Sequence, residues 1–458
     1  MGNNFDIYDF AHHGLKLAEQ KGPNLKCAEI FFEQNSYINM EIEENSIKNS
    51  EIGDDHGISI RVINKQGSLG FAFTNKLEKK SFNKVLNNAI KMMNVGTSDT
   101  DFKNLPNHFE YYPEVKNLFD KNLKNLRLED SLDYMKEIIA VCDEDDLAIS
   151  QSASFVSNYT KTSIFNSNGL EISGKDTVCS ISSYIIVKDK VSKETSFGYD
   201  WQSKRNLLNL EPRKIAENAL KDAKRNLNRK KIKKMKIPII LTPKGTISLI
   251  LRPIASAING ENFQYQRSFL VNKRDQIIGS QYLSIEDNGL IDGAVGSSIF
   301  DGEGVPCKNK KIIDQGKFLK NGLLHNSYTS GKEGVESSGN ASRNSYSSIP
   351  SIGITNFIMS SGDFSLQEIL QEVKKGILFD YTGDSPNITT GDFSGLILHG
   401  NLIENGEIKE PLNETMIGIN LLNLFQNIEA ISKEFDIYNS FQAPYVKIKD
   451  VQIIGGEN

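Results

Sequence analysis

The sequence predicts an α+β chain of two domains: helices packed on an antiparallel sheet over residues 1–230, then a strand-rich domain with long loops over 231–458. Three observations carry that reading. In the first half, apolar residues repeat at helical spacing, with period-two segments between the helices. A basic stretch at residues 221–236 falls where the composition changes. Beyond it, short apolar runs are separated by turns rich in Gly, Ser and Asn. The length of 458 residues exceeds one small domain, and 38% hydrophobic with 24% charged residues leaves enough apolar material for a core.

Ile7, Phe10, Ala11, Gly14, Leu15 and Ala18 predict a first helix; Phe82, Val85, Leu86, Ala89, Ile90 and Met93 predict a second. Between them Ile58, Ile60 and Val62 alternate with Ser59 and Arg61, and Leu69, Phe71 and Phe73 alternate with Gly70 and Ala72. Gln66-Gly67 supplies a turn, so a hairpin is expected to pack under the two helices. A third helix is expected over residues 128–142 and a further hairpin at Ser167-Asn168-Gly169. Pro212 opens another helix, because proline suits the first helical position. A strand at residues 237–241 starts the second domain. A helix capped by Thr242-Pro243 follows, with Ile247, Ile250, Leu251, Ile254, Ala257 and Ile258 as its apolar stripe. Pro253 should kink this helix, since it removes a backbone donor. The glycines from Gly302 to Gly339 then mark loops held by a sheet, where binding groups commonly sit.

A net charge of −5 offers no global argument for nucleic acid or membrane. The basic stretch lacks interleaved aromatics for base stacking and reads as a solvated helix end and linker. No run approaches the roughly 18 apolar residues of a membrane span. The first residues lack a basic segment followed by an apolar one, which argues against a signal peptide. Met1-Gly2 is followed by Asp6 where myristoylation wants Ser or Thr. Cys27, Cys142, Cys179 and Cys307 are scattered, against both a disulfide framework and a thiolate zinc site, so a cytoplasmic protein is expected.

Two imidazoles and a carboxylate on one helix would announce a zinc peptidase. None of the six histidines (His12, His13, His56, His108, His325, His399) is followed by Glu, and no two stand four apart. GxSxG is absent, and Ser337-Ser338 and the serines at 345–348 read as turn composition. Cys307 is the one candidate thiol nucleophile. Gly169 to Lys175 has P-loop spacing, but Asp176 stands where magnesium wants Ser or Thr. Polar groups concentrate in three loops, FDGEGVP, SGNASR and TTGDFSG. They make Asp301, Glu303, Arg343, Thr390 and Asp392 candidate substrate-binding residues lining a peptide groove, with plain turn formation as the competing reading.

The order of motifs resembles the TldD/PmbA family, once called modulators of DNA gyrase. The carriers are GISIRVI, GSLGFAFT, ENFQYQRSFL, FDGEGVP, SSGNASR, TNFIMSSG and TTGDFSG followed by ENGEIKEP, over nearly the whole chain. The resemblance implies a peptidase built from two paralogous subunits, TldD and TldE (also PmbA). In TldD, an HExxxH motif on the first helix of the C-terminal domain and a later cysteine hold zinc. Here Arg252, Pro253 and Ala257 stand at the His, Glu and His positions, and no cysteine follows Cys307. The resemblance therefore implies a TldE/PmbA-type subunit, in a heterodimer with a TldD-like paralog or a homodimer, acting on a peptide. It implies no catalytic residue, metal or other cofactor in this chain, and zinc in the TldD-like partner. Two alternatives stand beside it: an independent hydrolase using His325, His399 or Cys307, and a gyrase-associated DNA-binding module using residues 221–236.

Overall fold

The first layer is an antiparallel sheet of β1 (Leu25–Glu43), β2 (Ser46–Asn64), β3 (Leu69–Thr74), β4 (Ala148–Asn166), β5 (Glu171–Lys188) and β6 (Thr195–Lys204), in the order β3-β2-β1-β4-β5-β6. The structure is a computed structural model that describes residues 6–456; the Met1-Gly2 pair considered for myristoylation lies outside them. α1 (Ile7–Lys21) and α2 (Lys79–Val95) cover one end of the sheet. Their Phe10, Phe82 and Leu86 pack on Ile30, Ile58 and Ile60. After the short α3 (Lys121–Lys124), α4 (Leu128–Asp143) and α5 (Pro212–Arg225) cover the other end, setting Met135, Ile138 and Ile215 against Ile38, Met40 and Phe155. On the opposite face, Glu29, Phe31 and Arg61 are buried under loops of the second domain, and short polar side chains lie beyond them, with Asn35 bonded to Asn158, Ser154 to Ser182 and Ser180 to Ser203.

The hairpin of β2 and β3 forms at Gln66-Gly67 and lies under α1 and α2. The apolar set of β3, however, faces away from the helices. Leu69 and Phe73 are 40% and 50% exposed, and Phe73 meets the ring of Tyr346 from the second domain. Gly70 faces α2 instead, because helix and strand approach too closely for any side chain. A Cβ at Gly70 would stand 1.8 Å from the Ala89 carbonyl oxygen. Gly70→Ala is accordingly expected to cost about 1–3 kcal/mol in urea unfolding; an unchanged midpoint would contradict this contact.

Residues 226–234 lead from α5 into the second layer. Six of the nine cations of the basic stretch are tied to acidic side chains there: Lys224 to Asp145, Arg225 to Asp222 and Asp380, Arg229 to Glu194, Lys230 to Glu410, Lys231 to Glu414 and Lys236 to Asp450. β7 (Met235–Leu241) is central in a twelve-stranded mixed sheet. It runs antiparallel to Phe441–Ile454 and parallel to Lys375–Tyr381. Long loops leave this sheet, and one large apolar cluster fills it. No helix among the described residues is long and apolar enough to cross a membrane.

The helix after β7 is composite. α6 (Pro243–Thr246) is capped by Thr242, whose hydroxyl accepts from the Gly245 N–H at 3.2 Å. A π turn follows at Ile247–Leu251, then α7 (Arg252–Ala257). The kink expected from Pro253 takes this form. The Arg252 N–H reaches back five residues to the Ile247 carbonyl, and the widened turn accommodates a ring that has no donor of its own.

Candidate functional site

Two of the three polar loops meet on the first sheet. In the first, Asp301 Oδ1 accepts from the N–H groups of Glu303 and Val305, both at 2.9 Å. Its Oδ2 accepts from the Ala341 N–H at 2.9 Å, which joins this loop to the second. Burial, then the charge of Glu303, push the Asp301 carboxyl up to about 7. Glu303 is fully buried. Its Oε1 takes Arg61 Nη2 at 2.8 Å and the Ser327 hydroxyl at 2.7 Å; its Oε2 takes the Ser327 N–H at 2.7 Å. Burial opposes ionisation, but Arg61 and Ser327 together hold the Glu303 carboxyl below its usual range. Arg61 also donates to Glu29 Oε2 at 2.8 Å, and Arg343 pairs with Glu29 Oε1. The result is an alternating buried chain, Glu303–Arg61–Glu29–Arg343, with two members from each domain.

Glu303, expected to be a substrate-binding residue, is buried with both oxygens held by Arg61 and Ser327. Asp301 and Arg343 border an interdomain cleft of about 470 Å³, which Glu33, Asn35, Asp176 and Arg205 also line. Arg205 pairs with Asp176 at 2.8 Å. Burial raises the carboxyls of both Asp176 and Glu33. Cys307 touches this cleft too, yet burial and then the charge of Asp301 push its thiol up to about 12, so it is no thiolate nucleophile. His325 stands elsewhere, with Nδ1 3.1 Å from the Thr329 hydroxyl. His399 packs 4.4 Å from the Phe197 ring, with neither ring nitrogen hydrogen-bonded. The three groups proposed for an independent hydrolase therefore form no nucleophile–base pair.

A second cleft, of about 400 Å³, opens where β6 meets the composite helix. The wall on the β6 side is aromatic. Tyr199 and Trp201 stack at 5.4 Å with 2° between their planes, Tyr381 meets Tyr199 edge-on at 5.2 Å, and Tyr438 backs Trp201 at 4.5 Å. Lys244 holds this wall in place. Its Nζ donates to the Tyr199 carbonyl at 2.6 Å and to Asp222 at 3.0 Å, and lies 4.7 Å from the Tyr199 ring centroid. Arg252 and Pro253 line the cleft, with Ser248 and Ser256 one turn to either side of Arg252. Ala257 is buried in the core instead. The opposite wall is the loop from Thr382 to Ile388.

Thr390 and Asp392 follow that wall and lie apart from Asp301 and Arg343. Both are exposed. Thr390 donates its N–H to Asn387, and Asp392 accepts from Asn420 at 2.9 Å, so they shape the loop that encloses the second cleft. Sequence reasoning passed over Glu29, Arg61, Lys244, Tyr199 and Trp201. A signal existed for the first two: each is a lone charge inside an apolar strand run, where burial demands a partner.

Three family models match the chain. They are the PmbA/TldA metallopeptidase domain 1 over residues 28–93, its central domain over 121–227 and its C-terminal domain over 234–455. The chain is similar to the metalloprotease PmbA homolog of Buchnera aphidicola subsp. Acyrthosiphon pisum, at 29% identity over 446 residues, 96% of this chain and 95% of that protein. It is similar to the metalloprotease TldD homolog of the same organism at 24% identity over 432 residues, 92% and 88% of the two chains. In fold it is similar to TldE from Thermococcus kodakarensis, with a TM-score of 0.86 at 24% identity, covering 97% of this chain and 100% of that one.

Proposed function

The chain belongs to the TldD/PmbA metallopeptidase family, and from that premise we propose that it is a PmbA/TldE-type subunit without zinc, paired with a TldD-like paralog that carries the catalytic metal. The observation that carries this reading is the donor set in the second cleft. A zinc peptidase needs imidazoles and a carboxylate there. This cleft presents the guanidinium of Arg252, a cationic group with no lone pair for a metal, and the pyrrolidine of Pro253, which offers none either. No histidine or cysteine lines it. Among the described residues, no group of three or more His, Cys, Asp or Glu side chains is arranged to hold a metal ion. The residues present do not fit a resident zinc, and no catalytic step is assigned to this chain.

In this reading the subunit helps to enclose an unfolded peptide and hold it for the partner's metal. The polar part of the first sheet between the two clefts, and the clefts themselves, supply the surface. The test is to co-express the chain with a TldD-like paralog, purify the complex, and measure zinc content and hydrolysis of an unfolded peptide. The expected result is zinc and activity in the pair and neither in this chain alone. Zinc together with activity in the isolated chain overturns the proposal.

A further inference from the structure

We propose that the Arg252 cleft receives the C-terminal end of a peptide, with the α-carboxylate on the guanidinium and an aromatic or large apolar last side chain against the Tyr199–Trp201–Tyr381 wall. The inference deepens the reading above and rests on it in taking a peptide as the ligand.

Arg252 is exposed in the cleft, and its side chain makes no ion pair or hydrogen bond with the described residues. Of the other cations near the two clefts, Lys244 is engaged by Asp222 and Asp200, Arg205 by Asp176 and Arg343 by Glu29, while Lys175 in the first cleft lies over the Phe119 ring. A free guanidinium fork is matched in shape and charge by a carboxylate. Ser248 and Ser256 share its helix face and supply hydroxyl donors beside it. The one carboxylate in the cleft, Asp384, accepts the Leu396 N–H on Oδ2 at 2.9 Å and forms no ion pair with Arg252. The Arg252 guanidinium is thus the unpaired cation that a ligand carboxylate would meet.

The aromatic wall accounts for the other half of the ligand. Tyr199 and Trp201 are only half-buried, and the wall continues into a neighbouring hollow of about 370 Å³ that adds Tyr184 and Phe197. An extended chain cannot simply add to β6 as another strand here. The Thr195 carbonyl is taken by Arg229 and the Tyr199 carbonyl by Lys244. Recognition must come from side-chain contact and from the charge of a chain end rather than from a backbone ladder.

Trp201 is the chain's single tryptophan, so its emission reports on this cleft. The full chain is titrated with acetyl-Ala-Ala-Phe as the free acid and as the amide, following Trp201 emission and calorimetric heat in parallel. The acid is expected to bind, and the amide to bind roughly tenfold or more weakly, as loss of a charged hydrogen bond implies. Arg252→Gln should weaken the acid by the same factor and leave the amide unchanged, with Arg252→Lys recovering part of the difference. Equal binding of acid and amide, indifference to Arg252→Gln, or no binding of the acid up to millimolar concentration overturns the proposal. Any of these would leave the pairing with a zinc-bearing subunit untouched, because that is read from metal and activity in the complex.

Discussion

Glu29→Ala is expected to lower the free energy of unfolding by about 3–5 kcal/mol, the range for breaking a buried ion pair by removing one partner. Glu29 is 1% exposed and lies between Arg61 and Arg343. Its loss leaves two buried guanidinium groups facing the single carboxylate of Glu303. Neither arginine can shed its proton to relieve the imbalance. Nor can the domains part cheaply, since Arg343 also donates to the Gly302 carbonyl at 2.7 Å and lies 4.4 Å from the Phe31 ring centroid. Urea unfolding at pH 7 measures the loss, and a change below about 1 kcal/mol, the size of an exposed pair, refutes the buried-network account. In the double variant Glu29→Ala, Arg343→Met, the two costs should fall well short of adding, because the second change removes the charge that the first left unpaired.

Acid should unfold this protein through its two buried histidines. Burial pushes His325 and His399 down to about 4 from an ordinary value of 6.5. Both are therefore neutral in the native state at a pH where the unfolded chain takes up protons. Between pH 6.5 and 4 the unfolded state binds more protons, so stability rises with pH in that window and is lost as pH falls through it. Each histidine contributes about 1.4 kcal/mol per pH unit at most, or about 2 kcal/mol by pH 5. His399→Phe separates this effect from the carboxylates. Its ring nitrogens have no partners, and its neighbours Phe197 and Tyr381 are aromatic. The variant should be no less stable at pH 7, since an unsatisfied buried polar group is being replaced by an apolar ring. It should also lose less stability than the parent on going to pH 5. Parallel pH profiles for the two proteins would rule out His399 as a source of the acid sensitivity.

Much of the architecture was legible because it is local. The periodic residues of α1 and α2 are buried, Leu15 only partly, as expected where one helix face meets a sheet. Gln66-Gly67 and Asn168-Gly169 mark real turns, with the left-handed φ of +82° at Gly67 and +80° at Gly169 that glycine tolerates. The orientation of β3 was not legible. Alternation gives two faces, and only the close approach of α2 decides that the glycine side turns inward. The π turn before Pro253 was not legible either, because a proline in a helix has more than one accommodation.

For the candidate site the division is clearer. The sequence by itself determined the order of elements, the family motifs and the identity of the side chains at 252, 253 and 257. These are properties of the chain read along its length, and no folding changes which atoms they carry. Only the tertiary structure decided which charges neutralise one another and which remain available. Arg61 finds Glu303 across 242 residues, and Arg343 finds Glu29 across 314. Tyr199 and Trp201 form one wall with Tyr381 and Tyr438 from the far half of the chain. Periodicity is set by backbone geometry within a few residues, whereas pairing and cleft shape are set by segments that meet only once the two layers have packed. That packing engages the neighbouring cations and leaves Arg252 free.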